Sequence, residues 1–150
     1  MRHTLIVLLS FAAVSVPAVP VSSPPGMEVY RSPSCGCCLK WVEHLRSNGA
    51  SIKVHDLQAS ELDRVKGQRH VPAKLKSCHT GVVAGFVVEG HVPWVDIKKM
   101  LDTRPKILGL SVPGMPLGSP GMEDRGGRRQ PYDVLSFSEG GVTAVFGSHD

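Results

Sequence analysis

The amino-acid sequence predicts an α/β domain built on a mixed β-sheet. Segments with the polar and apolar alternation of strands are interleaved with segments of helical spacing, in the order strand, helix, strand, helix, strand, strand, helix. This order favours a sheet with one parallel and one antiparallel pair of strands. Near the C-terminus, two further strand-like segments flank a Glu-Gly-Gly sequence and predict a β-hairpin extension.

The first strand and helix are predicted around a cysteine-rich loop. Residues 27–30 form a short apolar run typical of a strand. After the loop at 31–36, apolar side chains recur at helical spacing until Asn48 and Gly49 end the helix. Residues 51–57 then alternate polar and apolar side chains, which predicts the second strand.

The second helix and the next two strands follow directly. Ser60 is predicted to cap a helix that runs to about Lys66, with Asp63 completing a pattern similar to a capping box. A third strand is expected around 73–76 and a fourth over 82–90.

The last helix and the C-terminal extension are marked by proline and glycine. Pro93 begins the third helix and Pro105 ends it. Residues 107–127 are rich in glycine and proline and too long to be a simple connection. Residues 133–138 and 142–146 are the two strands of the predicted hairpin.

The N-terminus predicts export. Residues 1–18 combine a short basic start, an apolar run from Leu5 to Val16 and small residues, which together indicate a cleaved secretory signal. The run is shorter than the roughly 20 residues that a spanning helix needs. We therefore expect a periplasmic protein with no membrane span after processing, a leader at 19–26 and one domain at 27–150.

The charge balance argues against a nucleic-acid partner. The formal net charge is +4, and removal of the signal takes away Arg2 and no acid, which leaves +3. Arg125, Arg128 and Arg129 lie among glycines, as in a solvated loop.

Three cysteines at the start of the first helix are the main functional signal. Thiolates at a helix N-terminus are stabilised by unpaired N–H groups, which should lower the pKa of Cys35 and Cys38. This environment suits thiol–disulfide exchange, with Cys35 as nucleophile and Cys38 as resolving residue. It equally suits metal binding, which also requires thiolates.

Cys37 separates these two chemistries. A two-cysteine redox centre does not need it, whereas a group of soft thiolates binds Cu(I) well and can bridge more than one ion. Structural zinc sites usually contain a second close cysteine pair, but Cys78 has only His79 beside it. The pattern favours copper over zinc, and inert buried cysteines or structural disulfides are the alternative in an exported protein.

The sequence resembles two known groups of proteins. A strand, a Cys-x-x-Cys helix start, a later Val-Pro pair, two strands and a helix are similar to the thioredoxin fold, in which a cis-proline faces the cysteines; Pro72 is the matching residue. More specifically, the mature chain resembles the periplasmic copper-resistance proteins of the CopG family. The segments that carry this resemblance are SPSCGCCLKW at 32–41, SCHTGVV at 77–83, VEGHVP at 88–93 and VPGMPLGSPGME at 112–123.

The resemblance implies that Cys78 joins the other three cysteines. Cys78 lies six residues after Pro72, and at about 3.3 Å per residue an unbroken strand would carry it roughly 20 Å away. It reaches the site only if this strand breaks or turns back early.

Histidine and methionine residues supply further candidate ligands. His91 follows the fourth strand and is expected near the cysteines, either as a metal ligand or proton acceptor or as an ordinary loop histidine. His79 is a candidate that depends on Cys78. Met115 and Met122 lie in the glycine- and proline-rich segment, where thioethers can bind Cu(I) or simply fix the loop to the core.

We therefore expect an exported protein that holds more than one Cu(I) ion in a cysteine thiolate cluster and functions in copper resistance. Coupling of copper redox to cysteine redox would extend this function, and whether the protein turns over as an enzyme stays open. The alternatives are a thiol–disulfide oxidoreductase that uses Cys35 and Cys38, and a copper chaperone that hands Cu(I) to a periplasmic exporter or carrier.

Overall fold

A computed structural model describes residues 25–150, which form one seven-stranded sheet with three α-helices. The predicted signal at 1–18 and most of the leader lie outside the described residues. The elements are β1 Met27–Arg31, α1 Gly36–Ser47, β2 Ile52–Asp56, α2 Ala59–Gln68, β3 His79–Val83, β4 Phe86–Gly90, α3 Trp94–Thr103, β5 Gly109–Val112, β6 Tyr132–Phe137 and β7 Thr143–His149.

The sheet has the order β2-β1-β3-β4-β5-β6-β7. β1 pairs with β2 in parallel and with β3 in antiparallel orientation, and β3 and β4 form an antiparallel hairpin. These four strands with α1, α2 and α3 make the predicted thioredoxin-like α/β core. β5 then pairs in parallel with β4, and the predicted hairpin of β6 and β7 extends the sheet on that side.

Helix α1 follows the prediction closely. Cys35 is its N-cap and accepts a hydrogen bond at Sγ from the N–H of Cys38 (3.3 Å). Asn48 is the C-cap, and Gly49 follows with a φ of 89°. The helix buries one apolar stripe, which consists of Cys38, Trp41, Val42 and Leu45.

The predicted cap of α2 is wrong by two residues. Gln58, not Ser60, is the N-cap, and the Glu61 carboxylate accepts a hydrogen bond from the backbone N–H of Gln58 (3.1 Å). Ser60 and Asp63 lie inside the helix. The carboxylate three residues after the cap decided the start, because it satisfies a backbone donor that the helix leaves unpaired.

The predicted strand at 73–76 is also wrong. Residues Ala73–Leu75 form a 3-10 helix, and the strand begins only at His79. Residues 82–90 are not one strand, because Ala84 and Gly85 adopt left-handed backbone conformations (φ 49° and 90°). A two-residue turn of this kind matches the twist of a hairpin, so β3 and β4 lie on its two sides.

Pro72 does not have the role that the thioredoxin resemblance implies. No cis peptide bond occurs within residues 25–150, and Pro72 precedes the 3-10 helix. The residue immediately before β3 is Cys78.

β5 was not predicted, because its four residues lie inside the glycine- and proline-rich segment. Its start requires Gly109, since a Cβ there would lie 2.1 Å from the carbonyl oxygen of Val87 on the neighbouring strand. The glycine that suggested a loop in the sequence instead permits close strand pairing.

The sheet has a core on each face. Val88 of β4 belongs to the larger cluster with Trp41 of α1 and Ile97 of α3, while the neighbouring Val87 belongs to a second cluster with Leu75. This division follows from the alternation of side chains along a strand. None of the helices within residues 25–150 combines the length and apolar character needed to cross a membrane.

Trp41 links α1 to the segment after β4. Its side chain is fully buried, and Nε1 donates a hydrogen bond to the carbonyl oxygen of Val92 (2.8 Å). The same ring lies 4.3 Å, centroid to centroid, from that of His79 at the start of β3. One side chain thus holds together the three segments that carry the candidate ligands.

Replacement of Trp41 by phenylalanine should lower the free energy of unfolding by about 1–3 kcal/mol, because the Val92 carbonyl loses its partner inside the core. Chemical denaturation monitored by circular dichroism measures the change. Leu39→Ala on the same helix is the control, since Leu39 is 42% exposed and its loss should change stability by only about 0.5 kcal/mol. Equal stability of the Trp41→Phe variant and the wild type would show that the hydrogen bond from Trp41 to Val92 does not stabilise the fold.

Candidate metal centre

Three chain segments meet at one end of the sheet and carry the candidate ligands. The loop after β1 leads into the N-terminus of α1, the chain enters β3 at His79, and it leaves β4 at Gly90. The antiparallel register pairs Arg31 with His79. Because of this pairing, Cys78 lies beside the loop that carries the first three cysteines.

The structure brings the four cysteines together. The Sγ atoms of Cys35, Cys37, Cys38 and Cys78 all lie within 4.8 Å of one another, and we call this group the cysteine cluster. Cys35 and Cys38 form a disulfide, while Cys37 and Cys78 are free thiols. Cys37 Sγ lies 3.5 Å from Cys35 Sγ. The cluster therefore places one oxidised pair beside two thiols.

Cys78 reaches the cluster because the chain does not form a strand after Pro72. The 3-10 helix at Ala73–Leu75 advances less per residue than a strand, and the backbone N–H of Ser77 is held by the Glu89 carboxylate (2.6 Å). Burial raises the pKa of the Cys78 thiol to about 11, and the neighbouring Cys37 adds to this shift. In the disulfide form of the protein, Cys78 is thus a neutral thiol at pH 7.

His79 and His91 both contact Cys78. Its Sγ lies 3.4 Å from His79 Nδ1 and 3.4 Å from His91 Nε2. The His91 Nδ1 lies 2.8 Å from the carbonyl oxygen of Pro120, and a carbonyl can only accept, so Nδ1 carries the proton. His91 Nε2 therefore presents its lone pair to Cys78, as a metal ligand or proton acceptor does.

His79 is a fully buried histidine with an unused ring nitrogen. Its Nε2 has no hydrogen-bond partner within the described part of the chain. Burial lowers the pKa of His79 well below its ordinary value, and it also lowers the pKa of His91. Both imidazoles are thus held in the neutral form that binds metal ions.

The glycine- and proline-rich segment covers the site. Gly121 adopts a φ of 87°, and a Cβ at this position would lie 2.7 Å from the carbonyl oxygen of Cys37 and 2.8 Å from the backbone nitrogen of Trp41. We call residues 113–131 the covering loop. These contacts place the covering loop against the start of α1, beside Cys37.

The two loop methionines have different positions. Met122 lines an open groove of about 510 Å³ together with Cys37 and Lys40. Met115 is 41% exposed and does not line this groove. The structure thus brings Met122, but not Met115, to the groove at the cluster.

Sequence reasoning did not identify the residues that hold the ligand-bearing loops. Arg31 is buried, forms an ion pair with Asp56 (2.8 Å) and donates hydrogen bonds to the carbonyl oxygens of Ser32 and Cys35 (both 3.1 Å). Glu89 accepts a hydrogen bond from the backbone N–H of Ser77. Gly121 allows its loop to approach the backbone of α1 closely. A single charged residue within the apolar strand β4 was the available signal for Glu89, because such residues are rarely buried without a partner.

The fold and this geometry define a thioredoxin-like protein with a thiol-rich candidate metal centre at the first helix. A family described as "Protein of unknown function, DUF411" matches residues 75–122. Two solved structures named "Copper resistance protein copG", Form 1 and Form 2, are each 41% identical to the chain. Form 1 covers 84% of this chain and 98% of its own, with a TM-score of 0.78; Form 2 covers 85% and 99%, with a TM-score of 0.77.

The chain therefore belongs to the CopG family of copper resistance proteins, as its sequence motifs predicted. A comparison with curated protein sequences finds no match.

Replacement of Gly121 by alanine should displace the covering loop and expose Cys37. Gly127→Ala is the matched control, because Gly127 has a similar φ of 74° but nothing within 4 Å of the added Cβ. We expect faster alkylation of Cys37 in Gly121→Ala and wild-type behaviour in Gly127→Ala, as measured by mass spectrometry of the labelled peptides. Equal labelling rates in both variants would show that the loop does not depend on this close approach.

The high pKa of Cys78 predicts a pH-dependent reactivity. In the disulfide form, its alkylation rate should rise about tenfold per pH unit and level off only near the pKa, because the thiolate is the nucleophile. Rates from pH 7 to 11, read at the Cys78 peptide, measure this dependence. A plateau below pH 9 would contradict the effect of burial.

Proposed function

We propose that this protein functions in copper resistance by binding Cu(I) through the thiolates of Cys35, Cys37, Cys38 and Cys78. The observation that carries the proposal is the mutual approach of all four Sγ atoms to within 4.8 Å. Soft thiolates select Cu(I), and each sulfur can bridge two ions. The membership of the chain in the CopG family supports copper as the cargo.

Binding of more than one Cu(I) ion follows from the number of bridging sulfurs. Cys35 and Cys37 approach to 3.5 Å, and Cys37 and Cys38 are adjacent in the chain. One ion uses only some of the sulfur lone pairs of such a group, so the remaining ones can hold further ions.

The neighbouring histidines and Met122 extend the donor set. Cys78, His79 and His91 place one ligand atom each within 4.8 Å of one another, and His79 Nδ1 lies 3.4 Å from Cys78 Sγ. We assign His79 and His91 as nitrogen ligands beside the sulfur ligands. Met122 serves as a thioether ligand of the covering loop because it lines the groove with Cys37, whereas Met115 stays a candidate from the sequence alone.

Copper binding and cysteine redox are coupled in this proposal. The Cys35–Cys38 disulfide must be reduced before both residues can bind metal, which takes two electrons and two protons. A dithiol reductant supplies those two electrons through thiol–disulfide exchange. In the opposite direction, Cys35 and Cys38 give two electrons to two Cu(II) ions, which become Cu(I) as the disulfide re-forms and two protons are released, so the protein can exchange electrons between copper and the cysteines. Cys35 and Cys38 are then the redox-active residues.

The compartment and the partner are part of the same proposal. The signal-like segment at 1–18 supports export to the periplasm. The groove beside Cys37 leaves the cluster accessible from one side, so a periplasmic exporter or carrier can receive the copper. A chaperone without turnover uses the same site and differs only in directed transfer to that partner.

A thiol–disulfide oxidoreductase is the second candidate function. The observation that favours it is the Cys35–Cys38 disulfide at the N-terminus of α1, where a helix stabilises the attacking thiolate. This function requires neither Cys37 nor Cys78. The two functions therefore predict different effects of substitutions at these residues.

Anaerobic titration of the reduced protein with Cu(I), against a competing chelator, should show several tightly held ions per chain. All four thiols should then be protected from alkylation. Cys37→Ser and Cys78→Ser should each lower the number of bound ions, because each removes a bridging sulfur. Elemental analysis and a free-thiol count on the same samples measure both quantities. Zn(II) offered under the same conditions should bind more weakly.

His70→Asn is the control, since His70 is exposed and asparagine tolerates its left-handed backbone (φ 56°). It should bind copper like the wild type. No more than one weakly held Cu(I) in the wild type, with disulfide-exchange activity that survives Cys37→Ser and Cys78→Ser, would replace the copper proposal with the oxidoreductase.

A further inference from the structure

A buried ion pair contacts the chain on both sides of Cys78, at Ser77 and Thr80. Lys66 of α2 is 3% exposed and Glu89 of β4 is fully buried, and Lys66 Nζ lies 2.5 Å from Glu89 Oε1. Burial raises the pKa of Glu89, while the Lys66 ammonium and the surrounding donors oppose that shift. Neither residue was a candidate from the sequence.

Glu89 joins the pair to the segment that carries Cys78. Its Oε1 also accepts a hydrogen bond from the backbone N–H of Ser77 (2.6 Å), and its Oε2 accepts one from the Thr80 hydroxyl (2.7 Å). Lys66 Nζ donates to the same Thr80 oxygen (2.9 Å). One carboxylate thus holds the chain on both sides of Cys78.

The glycine at the end of β4 completes this arrangement. A Cβ at Gly90 would lie 2.7 Å from Ser77 Oγ and 2.6 Å from the carbonyl oxygen of Val112. The absence of a side chain lets Ser77 pack against the chain just before His91. Cys78 Sγ consequently reaches His91 Nε2 at 3.4 Å.

Stability alone does not require a charged pair at this position. Removing two charges from water costs free energy, and apolar residues of similar volume are often as stable as a buried ion pair. What an apolar pair would lack is an acceptor for the Ser77 N–H.

We propose that Glu89, held in place by Lys66, is the positioning residue of Cys78: it fixes the Ser77 backbone so that Cys78 Sγ faces the other cysteines. The importance of this position for copper rests on the proposed function. The positioning itself concerns only the protein and can be measured without metal.

Two double variants separate the hydrogen bond from the charge. Lys66→Met with Glu89→Gln and Lys66→Met with Glu89→Leu are both neutral and keep the approximate side-chain volumes. Only the glutamine variant retains an oxygen that accepts the Ser77 N–H. Thermal unfolding followed by circular dichroism compares the stability of the two variants.

A second pair of variants leaves the ion pair intact. Ser77→Pro removes the backbone donor, and Lys76 has the extended conformation that precedes proline (φ −59°, ψ 136°). Ser77→Ala keeps the backbone donor but, like Ser77→Pro, lacks the hydroxyl that lies 3.9 Å from Cys78 Sγ, so comparing these two variants isolates the backbone N–H.

The measurement is the iodoacetamide labelling rate of Cys78 relative to that of Cys37 in the metal-free disulfide form. We expect this ratio to rise roughly tenfold in the Glu89→Leu double variant and in Ser77→Pro, because the hydrogen bond from the Ser77 backbone N–H is lost. The Glu89→Gln double variant should keep a ratio close to that of the wild type, and the ratio in Ser77→Pro should exceed that in Ser77→Ala by a similar factor. In the copper titration, the two variants without the hydrogen bond should bind as few ions as Cys78→Ser.

A wild-type labelling ratio in both the Glu89→Leu double variant and Ser77→Pro would overturn the positioning role. The proposed function fails separately: if the wild type binds no Cu(I) while the labelling ratios change as expected, Glu89 still positions Cys78 and the copper assignment is wrong.

Discussion

The antiparallel pairing of β1 with β3 determines where the sulfur atoms meet. Arg31, the last residue of β1, pairs with His79, the first residue of β3. The chain that leaves β1 for α1 and the chain that arrives at β3 therefore lie side by side at one end of the sheet. A shift of one residue in this register would turn the side chains of β3 to opposite faces. The cysteine cluster would then be lost, whatever the local sequence around Cys35.

The buried charges near the site are compensated by ion pairs. Two buried cations contact the segments that carry the cysteines: Arg31 donates to the Cys35 carbonyl oxygen and Lys66 to the Thr80 hydroxyl. Arg31 is paired with Asp56, and Lys66 with Glu89. Burial is the main cause of the lowered pKa of His79, and His91 and the two cations add to it. The histidine beside the cluster is thus kept neutral. A buried neutral imidazole next to sulfur ligands can bind a metal ion without releasing a proton.

The covering loop shows how irregular sequence can have a defined place. Its backbone contacts α1 at Gly121 and holds His91 through the carbonyl oxygen of Pro120. The position of the loop depends on close backbone approach, which only glycine permits at a φ of 87°. The loop and the disulfide-bearing helix start together leave Cys37 beside the open groove.

Much of the fold and part of the site could be predicted from local pattern. Helices α1 and α3 were identified because their apolar residues recur at helical spacing, α2 from a capping pattern, and the C-terminal hairpin because glycines separate two alternating segments. The errors arose where short segments have no period of their own. Residues 73–76 resemble a strand, but Ala73–Leu75 form a 3-10 helix, and β5 was missed because Gly109 looked like a loop residue although it permits close strand pairing.

The sequence by itself determined the chemistry of the site: three cysteines at a helix start, a fourth beside a histidine, and motifs that place the chain in the CopG family. Local spacing suffices for this because Cys35, Cys37 and Cys38 share one helical turn. Only the tertiary structure decided that Cys78, His79 and His91 join them, since these residues approach through strand register and through the hydrogen bond from Ser77 to Glu89. Such contacts join residues far apart in the chain, and their energies depend on burial that no single segment reveals.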